Sequence, residues 1–178
     1  MSRTRVIGLG QALAGDDSVG LAVIEELRER GPFAEVELVC LTDVSALLEQ
    51  LCDVDTAWVV DAVDLRERVG EVVELGLSEL DARASCSASS HGLDAAQAIA
   101  LCRELFPTRI AKRVRVLGIG IDVSLLALRA PASGNGAAAN SRSLSPRVAR
   151  GAEHARELIL DTLVSVNPQP QSEIPSHA

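Results

Sequence analysis

The stretch TRVIGLGQALAGDDSVGLAVIEELRER, residues 4–30, decides the fold. Thr4–Leu9 is a short apolar run ending in glycines and reads as a buried first strand. From Asp16 to Arg30 the pattern becomes helical, with Val19, Val23, Ile24 and Leu27 on one apolar face. Asp16 and Asp17 stand at the positive N-terminal end of that helix, and Gly31-Pro32 stops it.

Downstream, Glu35–Leu41 predicts a second strand. Asp43–Leu51 predicts a short helix capped by Asp43 or Ser45. Thr56–Val60 reads as a buried strand ending at Asp61, and Glu71–Leu77 as a strand nearer an edge. Asp81–Ser90 is small and polar, a loop. Leu93–Leu105 is a helix ended by Pro107, and Arg113–Ile121 is a near-continuous apolar strand. Ala130–Ser143 is rich in Ala, Gly, Ser and Asn and is expected to be mobile. The last helix runs from Leu144 to about Val166, with Ser145 as N-cap and Pro146 in its first position. Strands alternating with helices predict an α/β three-layer sandwich, a twisted, mostly parallel sheet with helices on both faces. The expected organisation is a single domain over 1–166 and a disordered tail over 167–178, which carries Pro168, Pro170 and Pro175.

Bulk composition narrows the function classes. The 178 residues are 47% hydrophobic but only 2% aromatic, so Val, Leu, Ile and Ala must build the core. A net charge of −8 repels phosphate backbones and argues against nucleic acid as a partner. No segment reaches the ~18 apolar residues of a membrane span. The start MSRTRVIGLGQALAGDD mimics a short signal peptide, but Gly8, Gly10 and Gln11 break its apolar stretch. Cys40, Cys52, Cys86 and Cys102 form no C-x-x-C pair, and at least three lie in apolar periodic segments. The expectation is a cytoplasmic, reduced protein without a disulfide frame, and a monomer because no coiled-coil pattern is present.

Loops at the carboxyl ends of strands form the binding crevice of such sheets. Three segments qualify: GLGQALAGDDSVG at 8–20, VVDAVD at 59–64 and SSHGLDAAQAI at 89–99. The first is not a dinucleotide or phosphate loop. Its glycine spacing is wrong, and Gly15 is followed by two aspartates where a phosphate loop needs Lys and Ser or Thr. Each candidate residue also has a bland reading: Asp17 as a helix cap, Asp61 as a cap or turn residue, His91 as an exposed loop histidine. Together, two carboxylates and one imidazole suit a borderline divalent metal such as nickel or zinc, with positions left open for water or substrate. His154 reads as a solvated helix residue and His177 lies in the tail. Cys86 beside His91 lacks a third, orienting group, and no G-x-S-x-G elbow exists.

These three segments, in this order and spacing, resemble the hydrogenase maturation proteases; the resemblance covers about residues 4–160 and extends to VRVLGIGID and SLSPRV. It implies a twisted sheet between helices and an endopeptidase that cuts a C-terminal extension from the large-subunit precursor of a nickel–iron hydrogenase after nickel insertion. The resemblance maps the family's metal-reading acids onto Asp17 and Asp61 and its histidine onto His91, with the precursor's nickel as the metal. Gln11 stands where the family usually has Asn, and Ser18 where it often has Gly. Asp17 is the expected general base. Two rival classes remain at this point: a non-proteolytic, nickel-dependent checkpoint protein in hydrogenase assembly, and a nucleotide-binding α/β protein, which the missing phosphate motifs disfavour.

Overall fold

The computed structural model describes residues 3–12, 14–76, 79–80, 94–124 and 143–166. Five strands form one sheet: β1 (Thr4–Leu9), β2 (Val36–Leu41), β3 (Thr56–Asp64), β4 (Val72–Leu75) and β5 (Arg113–Ile121), in the order β2-β1-β3-β5-β4. Pairing is parallel throughout except at β4, an antiparallel edge strand on β5. Among the described residues, four α-helices accompany the sheet: α1 (Val19–Arg30), α2 (Leu47–Gln50), α3 (Ala95–Leu105) and α4 (Pro146–Val166).

Alternation along the strands sorts the core into two layers. Val6, Trp58, Val60, Leu117 and Ile119 face α1 and α4, and pack on Val19, Val23, Ile24, Leu27, Val148 and Ile159. Ile7, Leu9, Ala57, Val59 and Val116 face the opposite way, onto Leu47, Leu51, Ala98, Ile99 and Cys102 of α2 and α3. This is the three-layer sandwich that the sequence pattern predicts. Full burial of each such aliphatic side chain contributes roughly 1.5–3 kcal/mol, so Val, Leu, Ile and Ala supply most of the core. Trp58 is buried at 1% exposure, with the Arg115 guanidinium 4.0 Å above its ring. Among the described residues, no helix is long and apolar enough to cross a membrane.

The strand order reverses between β1 and β3, since β1 leads outward to β2 and the chain then returns to β3. That switch point opens a crevice at the carboxyl ends of the two strands. Gly20 seats the start of α1 directly over it. A Cβ on Gly20 would lie 2.2 Å from the Leu9 carbonyl oxygen and 2.4 Å from that of Val60, inside both backbones. The helix can therefore approach both strands only because position 20 has no side chain.

Several boundaries differ from the sequence reading: β2 begins at Val36 rather than Glu35, β4 spans Val72–Leu75 rather than Glu71–Leu77, and three further differences bear on the site. The helix expected from Asp16 begins with a 3-10 turn, Gly15–Ser18, and neither Ala14 nor Ser18 supplies a side-chain cap. β3 does not end at Asp61. It pairs with β1 only as far as Val60, opposite Gly8, but continues beside β5 until Asp64 meets Ile121. Asp61 is thus the first residue of β3 beyond the β1 pairing, lining the crevice while still held by β5. The helix expected over Asp43–Leu51 is a 3-10 turn, Val44–Ala46, followed by α2, and Asp43 is its cap, accepting from Ser45 N at 2.8 Å. The expected loop at Asp81–Ser90, the segment 130–142 and the tail 167–178 lie outside the described residues.

Candidate active site

Asp17 occupies the 3-10 turn between β1 and α1, at the mouth of the crevice. The backbone N–H of Gln11 donates to its carboxylate, which lowers its pKa. Partial burial acts the other way and prevails, so the carboxyl sits above the usual aspartate range. Its neighbour Asp16 does not cap the helix. It accepts from the backbone N–H of Ser145 at 2.5 Å, tying this turn to the start of α4.

Asp61 lies deeper. Burial pushes its carboxyl up to about 6, a hydrogen bond from Ala62 N (2.9 Å to Oδ1) pulls it down, and the negative charges of Asp17 and Asp94 raise it again. Among the described residues, no arginine or lysine contributes to this balance. The two carboxylates predicted from sequence therefore share one electrostatic neighbourhood. A third, Asp94, was not anticipated. It is the N-cap of α3, in a reciprocal capping box: Gln97 N donates to Asp94 Oδ1 at 2.7 Å, and Asp94 N donates to Gln97 Oε1 at 3.1 Å. The D-x-x-Q spacing at 94–97 was the available signal for it.

A cavity of about 410 Å³ opens beside Asp61 and Asp94. Leu75, Leu80, Ala96 and Val116 give it apolar walls. A site with carboxylates on one side and an apolar recess on the other can hold a cation at its rim and an aliphatic side chain within it. Asp17 and Asp61, whose carboxyls burial raises, fit a cation well, because it offsets that burial and their mutual repulsion.

His91, the third residue of the expected metal set, lies outside the described residues, as does Cys86. Among the described residues no cluster of three or more His, Cys, Asp or Glu side chains is placed to hold a metal. His154 is exposed on α4. Cys52 and Cys102 are buried with their sulfurs 3.8 Å apart. Burial pushes the Cys102 thiol up to about 12, which removes it as a nucleophile.

With that geometry in place, comparison with known proteins is informative. The family model HycI, hydrogenase maturation protease, matches residues 21–124. The chain belongs to the hydrogenase maturation protease family. It is accordingly a peptide-bond hydrolase, a processing endopeptidase. The matched span includes Asp61 and His91 and begins four residues after Asp17. Solved structures of the same fold include the hydrogenase maturating endopeptidase HybD from E. coli, at 24% identity and a TM-score of 0.67 over 93% of this chain and 94% of that one. A solution structure of an endopeptidase from Escherichia coli follows at 22% and 0.70, again over 93% and 94%. The [NiFe] hydrogenase maturation protease HycI from Thermococcus kodakarensis matches at 21% and 0.60, over 91% and 92%. No curated protein matches the chain in sequence. For this maturation protease, the nucleotide-binding alternative drops away.

Proposed function

We propose that this protease removes the C-terminal extension of a nickel–iron hydrogenase large-subunit precursor after nickel has been inserted, and that Asp17, Asp61 and His91 read the precursor's nickel. The observation that carries the reading is the crevice pair Asp17 and Asp61, both held above the ordinary carboxylate range, with no cation among the described residues lowering either one. The nickel arrives with the substrate. Its charge offsets the burial of Asp61 and draws the precursor into the crevice, and His91 enters this set from the sequence resemblance.

Hydrolysis then needs a base. Asp17 is more open than Asp61, and Gln11 N–H engages its carboxylate. It takes a proton from water as the water oxygen attacks the scissile carbonyl carbon. The same proton passes to the departing amine as the C–N bond breaks. The apolar recess lined by Leu75, Leu80, Ala96 and Val116 receives an aliphatic side chain next to the scissile bond.

Intact mass measurement after incubation with nickel-loaded precursor tests the reading. The expected product is the precursor shortened by one C-terminal peptide, with Asp17→Asn reducing the rate by about 100-fold or more. Stable binding with no change in mass favours the alternative, a non-proteolytic checkpoint. Full activity of Asp17→Asn would remove Asp17 as the base.

A further inference from the structure

Most of the described cations are matched. Arg5 pairs with Glu37, Arg66 with Asp64, Arg68 with Glu71, Arg109 with Asp53, Lys112 with Asp55, Arg115 with Glu74 and Arg156 with Glu26. Arg3, Arg28 and Arg113 donate to carbonyl or hydroxyl oxygens. Among the described residues, Arg30, Arg147 and Arg150 have no such partner. In a chain with 25 acidic and 17 basic residues, carboxylates are not scarce.

Two of these three arginines stand together. Arg147, Arg150 and His154 follow one another at i, i+3 and i+7 on one exposed side of α4. They line a cleft of about 420 Å³ with Val69, Gly70 and Glu71 of the β3–β4 connection. The connection is pressed onto the helix there: a Cβ on Gly70, whose φ is +85°, would lie 2.3 Å from the Arg147 carbonyl oxygen. The arrangement carries two local costs. Like charges one turn apart repel. Cations in the first turns oppose the helix dipole, and the first turn of α4 contains no acidic residue to compensate. Glu71, which also lines the cleft, is engaged by Arg68 at 2.9 Å, so the guanidinium groups of Arg147 and Arg150 suit a planar carboxylate, which two arginine forks can grip bidentately.

The cleft also lies next to the crevice. Ser145, just before α4, donates its backbone N–H to Asp16, and Asp16 adjoins Asp17. We propose that the Arg147–Arg150–His154 cleft is a docking site for a carboxylate-rich segment of the precursor, which orients that protein while its processed end enters the crevice. This rests on the maturation reading above. The net charge of −8 repels an acidic partner at long range, so attraction is concentrated at this cleft.

The test uses the full chain and nickel-loaded precursor, with Kd from calorimetry and kcat and KM from mass-detected cleavage, at low and high salt. Arg147→Glu and Arg150→Glu are compared with Arg30→Glu, which makes the same charge change at the far end of α1. Each cleft variant is expected to raise Kd and KM by about fivefold with kcat unchanged, and high salt should shrink the difference. Arg30→Glu should stay within about twofold of the parent. Equal effects at all three positions, a fall in kcat alone, or no binding of the precursor by the parent protein would overturn the docking site. Binding without cutting would defeat the maturation reading instead, and the Kd comparison would still decide the cleft.

Discussion

The two ends of the sheet treat the same side chain in opposite ways. At the amino ends of the parallel strands, Asp53 faces Arg109 at 2.6 Å and Asp55 faces Lys112 at 3.3 Å; on the antiparallel edge strand, Glu74 holds Arg115 through two bonds of 2.6 and 2.7 Å. These partners hold Asp53 and Glu74 below their ordinary range, and Asp55 is lowered first by the backbone N–H of Arg3 and then by Lys112. At the carboxyl ends, Asp17 and Asp61 are raised, by burial first and, for Asp61, by other carboxylates as well. Among the described residues, cations of the same chain neutralise the first group and not the second. Carboxylates raised by burial, beside an apolar recess, are the pattern expected of a functional site.

The contrast can be broken at several points. The largest effect is expected from Gly20→Ala, which forces a methyl group into the Leu9 and Val60 carbonyls and lifts α1, with Asp17, away from the crevice. A loss of about 3 kcal/mol in denaturant unfolding, with cleavage abolished, is expected. A stability within 1 kcal/mol of the parent would show that α1 is not seated as described.

Asp61→Asn should separate stability from activity. The displacement of its pKa from 3.8 to about 6 corresponds to a penalty of up to about 3 kcal/mol once both folded and unfolded states are ionised. Asparagine keeps the acceptor for Ala62 N–H without the charge. At neutral pH the variant should be more stable by roughly 1–3 kcal/mol, yet much slower in cleavage. A variant that is less stable and fully active would invert the account of this end.

The pH profile sharpens the same point. The folded pKa of Asp61 is raised, so its stabilising influence is complete below 3.8 and is lost as pH rises towards about 6. The carboxyls at the opposite end are lowered, so their contribution is present above the unfolded value and is lost as pH falls through their folded values. The stability difference between parent and Asp61→Asn, followed by thermal unfolding, should grow between pH 4 and pH 7. A constant difference would mean that Asp61 is not desolvated. The smallest effect belongs to Glu74→Gln: this pair is more than a third exposed, and solvent screening leaves it worth at most about 1 kcal/mol, with cleavage unaffected.

How far the sequence disclosed all this depends on the distance over which each feature is encoded. β1 and β5 have the bounds expected of them, because an apolar run between charged and glycine residues is a local signal. The expected N-cap position of α4 is consistent with Ser145 O accepting from Ala149 N at 2.9 Å. The end of β3 was misread because VVDAVD looks like a strand meeting a turn. Its continuation depends on β5, more than fifty residues away, still being there to pair. The bond from Ser145 to Asp16 spans 129 residues and leaves no trace in any local pattern. Asp17 and Asp61 were nameable as polar residues at a strand exit and a strand end. Their raised pKa values were not, because desolvation is a property of what packs around them.

The central claim is that the crevice carboxylates act on a substrate that brings its own metal. The most direct measurement is the cleavage rate, by intact mass, of matched nickel-loaded and nickel-free precursor. The account predicts cleavage of the loaded form alone, with the nickel-free form intact over the same time. Equal cutting of both would contradict it.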